Sequence, residues 1–252
     1  MKKLSAILFA QFCCVVAAHA FTSSLYDSLE TKKKEKAHTL RLITRLNSLG
    51  LFAITGRKVS NNPAFDFNFY YDRKEFGFQF FKAFDLYNRH TDNNFSLALL
   101  YHQFKFGTRW TFTPGGGFVI DQTKKVLANK GSDAALIITT AFKINPNLLL
   151  DQTIAVPNMI IESRNRDWIN RIRLLYSKNH LDMVATVWHN NNVFDHNEYF
   201  TTGLNVTYAR IPITDHILLN TGITAMYMPY SSNEEKYPKK NGLVFTLATV
   251  LH

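Results

Sequence analysis

The sequence predicts an all-β chain, an antiparallel up-and-down β-barrel of about 12 strands, with about ten as the alternative count. Three observations predict it. Apolar and polar residues alternate with a period of two from about residue 39 to the C-terminus. The connections between the alternating runs are short and long in turn. The chain is rich in aromatics, with 21 Phe and 11 Tyr in 252 residues, and only 19% of it is charged.

The clearest element is the hairpin at 64–86. In Ala64-Phe65-Asp66-Phe67-Asn68-Phe69-Tyr70-Tyr71 every odd position is aromatic, and Phe76-Gly77-Phe78-Gln79-Phe80 repeats the pattern after Asp72-Arg73-Lys74. Alternation at 180° per residue makes a strand with one apolar and one mixed face. A helix would scatter this aromatic row. The same reading places strands near 39–57, 64–72, 75–86, 94–105, 107–120 and 133–144. It continues with 147–156, 167–177, 180–189, 198–210, 214–228 and 242–251. Leu42, Leu46 and Leu49 also fit a helical face, so the first element has a helix as its alternative. If that element is helical and one weak strand is a loop, the count falls to about ten.

Short connections fall at Asp72–Glu75, Phe106–Gly107, Ile144–Asn147, Lys178–His180 and Ile211–Asp215. Longer polar ones fall at 58–63, 87–93, 121–132, 157–166, 190–197 and 229–241. Short turns on one side and long loops on the other are the pattern of a transmembrane barrel. Gly115-Gly116-Gly117 follows Pro114 and lacks a Lys-Ser/Thr successor, so it is read as a kink or bulge in the wall rather than a phosphate loop.

The N-terminus carries an address. Lys2 and Lys3 form a basic head, Leu4 to Val16 carry no charge, and Ala18-His19-Ala20 is a small-x-small cleavage site. Residues 1–20 are therefore expected to be a cleaved signal peptide. Cys13 and Cys14 both lie inside it, and Ala10-Gln11-Phe12 before them is a poor lipidation signal. The exported chain then has no cysteine, and its stability comes from something other than disulfides. Residues 21–38, with Lys32-Lys33-Lys34-Glu35-Lys36, are expected to be a periplasmic segment ahead of a barrel at 39–252.

Sorting by parity gives two faces. Phe65, Phe67, Phe69, Phe76, Phe78, Phe80, Ile172, Leu174, Leu204 and Phe245 share one. Asp66, Asn68, Gln79, Thr139, Asp151, Arg171, Arg173, Asp182 and Asn205 share the other. The bulky apolar set is more than a narrow interior holds, so it is expected to face lipid. Tyr87, Trp168, Tyr199, Tyr208 and Tyr227, near strand ends, are expected to form an interfacial girdle. Lys82 and Gln152 fall on the apolar parity, and a bulge at Phe80-Phe81 would rescue Lys82.

Together, export signal, alternation and loop pattern resemble the outer-membrane β-barrel proteins of Gram-negative bacteria as a broad class, over roughly residues 39–252. The final residue departs from that class, with His252 after Leu251 where an aromatic usually stands. The resemblance implies an outer-membrane location and contact with membrane lipid and lipopolysaccharide. It also implies porin-like transport of small solutes. The leading reading is a small channel or transport protein without catalysis. The alternatives are an outer-membrane enzyme acting on phospholipid or lipid A, and a closed structural or adhesive barrel.

Candidate site residues follow from the inner parity. Asp66, Asp151 and Asp182 are expected to oppose Arg171, Arg173 and Lys143 in a lumen charge network, with Arg109 joining near the periplasmic rim. His189, in Trp188-His189-Asn190-Asn191-Asn192, is expected at the lipid-facing extracellular rim and is the one weak catalytic candidate. A serine nucleophile needs a base in hydrogen-bond reach, and the expected neighbours offer Asp167, Glu198 and Thr201 but no Ser. Ser163, in a loop, is remote. No histidine pair has a ligand spacing that suggests metal, and no cofactor is implied. Loop lysines Lys124, Lys125, Lys130, Lys236, Lys239 and Lys240 suit lipopolysaccharide phosphates. Nucleic acid is not expected despite the formal charge of +10, because the basic residues are spread out and the chain is exported.

Overall fold

The structure is a computed structural model that describes residues 38–251 apart from 53–54, 89–92, 122–131, 158, 160–166 and 194. The expected signal peptide at 1–20, and all but His38 of the 21–38 segment, lie outside the described residues. Twelve long antiparallel strands close into a barrel. They are β1 (Thr39–Asn47), β2 (Ala64–Arg73), β3 (Phe76–Asp85), β4 (Phe95–His102), β5 (Trp110–Asp121) and β6 (Ser132–Asn145). The second half comprises β7 (Leu148–Val156), β8 (Asp167–Lys178), β9 (Leu181–Asn192), β10 (Glu198–Thr214), β11 (Ile217–Ser231) and β12 (Gly242–Leu251). A short piece, Phe104–Phe106, continues β4 along β5. Each strand pairs with its neighbours in sequence, and β12 pairs with β1 from Leu42↔Leu251 to Asn47↔Thr246. The barrel sheet thereby has no free edge, as a membrane interior demands.

The first element is a strand and not a helix, because β1 is laddered on both sides, to β2 and to β12. It is shorter than the expected 39–57. After Gly50 the chain forms a separate small hairpin, Leu51–Phe52 against Arg57–Lys58. The turns at Lys74-Glu75 and Asn179-His180 each place one residue in the left-handed region, Lys74 and Asn179. These turns share one end of the barrel with Thr39 and Leu251.

Parity sorts the faces as the sequence implies. Leu100 (68% exposed) and Phe245 (55%) stand out on the outer surface, while Asp66, Asn68, Gln79 and Asp151 are buried inside. An apolar outer belt of this size is untenable in water and is what lipid requires. No helix among the described residues is long and apolar enough to cross a membrane, which says nothing of a barrel's strands.

Several expectations need correction. Tyr199 does not join the outer girdle, being 2% exposed inside the mouth. The β2–β3 register is continuous, so no bulge accommodates Lys82. Its ammonium instead donates to Asn94 Oδ1 at 2.8 Å. Gln152 is answered in the same way, donating to Asn170 Oδ1 at 2.9 Å. The register is also regular through Gly115–Gly117. There the glycines permit close approach: a Cβ on Gly117 would sit 1.8 Å from the Ala98 carbonyl oxygen.

The inner face is not uniformly polar. Phe81, Ala83, Phe95, Leu97, Leu99, Ala135, Ile137, Ala155 and Ile169 pack as one buried apolar cluster on the inner side of β3 to β8. The remaining wall, through β8 to β12 and β1, carries most of the charged and amide side chains.

Candidate functional site

The lumen encloses a cavity of about 390 Å³. Its lining runs from Asn47, Leu51 and Trp188 near the long-loop end to Ser177, Asp182 and Asn220 near the short turns. The residues expected to form one network resolve into separate pairs.

Arg173 lies directly across from Asp151 in the β7–β8 register. Its Nε donates to both carboxylate oxygens at 3.0 Å, and Nη2 completes the fork. Both side chains are buried, where a charge is tolerable only when paired. Asp66 does not meet Arg171 or Arg173. It accepts from Arg45 Nε at 2.6 Å and from Asn47 Nδ2 at 3.0 Å. Asp182 accepts from Arg210 Nη1 at 2.9 and 3.0 Å and from Ser177 Oγ at 2.5 Å.

Arg171 stands apart. Its Nη2 donates to Thr153 Oγ1 at 2.9 Å, while Nε is buried without a partner. No carboxylate among the described residues lies within 4.0 Å of it. Lys143 faces inward opposite Leu149, near the short-turn end, and forms no ion pair among the described residues. Arg109 sits exposed in the turn beside it, its carbonyl accepting from the Lys143 backbone N–H at 2.9 Å.

Arg41, Arg45 and Arg210 are inward cations that the sequence reading missed; Arg41 is buried with its guanidinium 5.1 Å from the Tyr70 ring centroid. Arg45 lies in β1, whose helix-like leucines hid its parity. Arg210 has a φ of 61° at a register shift between Tyr208 and Ile211, so simple alternation fails there.

The mouth holds a feature that alternation gives no sign of. The small hairpin after β1 turns inward. Gly56 meets the ring of Trp188 on the inner wall, Thr55 is fully buried, and the Arg57 guanidinium lies 5.5 Å from the Tyr237 ring centroid. Tyr199 packs on Tyr237 at 4.8 Å between centroids. Lys58 Nζ reaches the Asn241 carbonyl at 3.4 Å. This hairpin ties the β1–β2 connection to the β11–β12 loop across the lumen entrance.

His189 lies outward near the rim, as expected. It stacks on Phe200 with centroids 4.3 Å apart and rings 9° from parallel, and its Nε2 is 3.1 Å from Glu198 Oε2. Among the described residues no serine or threonine hydroxyl is hydrogen-bonded to it. His189 also belongs to an outward polar row. Gln152, Asn170, His189 and Glu198 sit on adjacent strands β7 to β10 and climb from mid-wall to the rim. Of the loop lysines, Lys236 pairs with Asp195 at 2.8 Å and Lys239 with Glu234 at 2.7 Å. The carboxylate of Glu234 holds the Lys239 pKa above its ordinary value. Lys124, Lys125 and Lys130 lie outside the described residues, as does Ser163. No group of metal-ligating side chains occurs among the described residues.

No protein family and no curated protein matches this sequence. Solved structures do. The chain is similar to a KdgM porin, with a TM-score of 0.55, 6% identity, and coverage of 84% of this chain and 98% of that one. It is similar to a NanC porin, with a TM-score of 0.53, 10% identity, and coverage of 85% and 100%. A KdgM porin described in complex with disordered oligogalacturonate matches at a TM-score of 0.54 and 6% identity. At these identities the likeness establishes the fold alone: the chain is a closed antiparallel barrel of twelve strands, similar to those structures over most of their length.

Proposed function

We propose that the chain is an outer-membrane channel for small solutes, exported by a signal peptide cleaved after Ala20 and seated in a Gram-negative outer membrane. The observation that carries this reading is the lumen itself. One cavity is lined by side chains from near the long-loop end to near the short-turn end. Inward charges are held in place by cross-strand partners, as at Arg173–Asp151, so they line a path without collapsing across it. The porin neighbours support the same reading, since one of them is a KdgM porin in complex with disordered oligogalacturonate. Lipid contacts the outer belt, and lipopolysaccharide phosphates meet the basic residues of the long loops.

Catalysis at His189 has little support, because Phe200 stacking and the Glu198 contact occupy the ring without bringing a nucleophile. The test of the channel reading is single-channel recording from protein refolded into lipid bilayers, with folding verified by heat-modifiable gel mobility. Discrete openings are expected. Silence from inserted, folded protein would leave the closed structural barrel as the reading.

A further inference from the structure

We propose that the lumen selects a small amphiphilic monoanion, a carboxylate on an apolar body, with the carboxylate held at Arg171. The inference rests on the channel reading and names its solute class.

The charge pattern comes first. Arg45, Arg173 and Arg210 each face a carboxylate, so none offers a full positive charge to a passing solute. Arg171 has only the neutral Thr153 hydroxyl, and its Nε is buried with no acceptor. A half-buried guanidinium with its Nε shut from water and no anion beside it is costly, and a ligand carboxylate accepting from it restores what is missing. Its planar fork suits a carboxylate. A polyanion needs several unpaired cations in sequence. The arginines paired with carboxylates do not provide them, and Lys143, which forms no ion pair among the described residues, lies apart at the short-turn end and does not line the cavity.

The apolar wall comes second. Ile169 follows Arg171 on the same face of β8, one inward position nearer the long-loop end, and Ala155 bears the same relation to Thr153. Beyond them Ile137, Phe81 and Phe95 continue the buried cluster, and all line the cavity that Arg171 lines. One cationic donor bordering one apolar wall is the usual recipe for an oriented small-molecule site. A solute entering at the mouth slides its apolar body along this wall while its carboxylate reaches Arg171.

The test uses phenylacetate and its neutral isostere phenylacetamide. Binding of each to the refolded full-length barrel in detergent is measured by calorimetry, and block of single-channel current by each is recorded in bilayers. Phenylacetate is expected to bind roughly tenfold or more tighter than the amide, the scale of a lost hydrogen bond to a charged group. Arg171→Gln should abolish that preference, and Arg171→Lys should keep most of it. Equal binding of acid and amide overturns the inference, as does undiminished acid preference in a folded Arg171→Gln barrel. Tighter binding of digalacturonate than of phenylacetate overturns the solute class. If Arg171→Gln fails to fold, the acid–amide pair on the unaltered protein decides. Selective binding without current supports the site and sinks the channel reading. Current without selective binding does the reverse.

Discussion

Gly56 and Trp188 are in face contact across the lumen entrance. A Cβ on Gly56 would lie 2.7 Å from Trp188 Cζ3, and the glycine φ of +67° is one that side-chain-bearing residues rarely adopt. Gly203 leaves room beneath the same ring, where a Cβ would be 3.2 Å away. The inturned hairpin is thus seated on one indole.

The first prediction concerns that seat. Gly56→Leu adds both a clash and backbone strain, so the hairpin should leave the lumen while the barrel stays folded. Trp188→Ala should act in the same direction by removing the platform. Both should raise single-channel conductance relative to the unaltered protein. Conductance unchanged in both would mean that the hairpin does not obstruct the path.

Breaking the buried lumen pair should be expensive. Arg173→Gln leaves Asp151 buried without its cation, a loss of about 3–5 kcal/mol. Replacing both residues by apolar side chains of similar volume should recover most of that. Urea titration of the folded barrel in liposomes reads both numbers. Equal losses for the single and the double variant would contradict the pairing.

The outer face can be tested directly. Leu174 points outward and is 42% exposed. In lipid, Leu174→Arg should cost about 2–4 kcal/mol near mid-membrane. On a water-soluble barrel the same change would stay within about 0.5 kcal/mol. The liposome titration distinguishes the two environments.

The glycine run should respond unevenly. Gly117→Ala drives a methyl into the Ala98 carbonyl, so the β4–β5 seam must open, at a cost of at least the roughly 1–3 kcal/mol of an overpacked site. Gly116→Ala meets nothing closer than 3.9 Å and should be tolerated. Heat-modifiable mobility of the two variants after refolding compares them.

Most of the barrel was legible in the sequence because period two is a strong signal wherever one face is polar. Phe65-Asp66-Phe67-Asn68-Phe69 could be sorted at sight. The signal fails where both faces are apolar. In Leu97-Ala98-Leu99-Leu100 the inward Leu97 and Leu99 and the outward Leu100 read as one run, so the apolar inner wall had no parity to betray it. Pairing partners were less legible than faces. Asp151 and Arg173 were rightly put on one side, but whether Asp66 meets Arg45 or Arg171 depends on inter-strand register, which one sequence does not encode locally. The inturned hairpin escaped because Gly56 and Trp188 are far apart in the chain, and their contact is settled by shape alone.

The outward row of Gln152, Asn170, His189 and Glu198 has a consequence for the surrounding bilayer. Farther round the wall, beyond β11, strands β12 and β1 show Leu243, Phe245, Leu247, Leu40 and Leu46 to the acyl chains, a tall greasy wall. Beside β7 to β10 the amides and the imidazole draw headgroups and water downward, so the greasy wall there is short. A cylinder whose two sides want membranes of different height satisfies both by leaning, or by dimpling one leaflet. This protein should therefore stand askew in its membrane, with a thinned patch of lipid travelling beside strands β7 to β10.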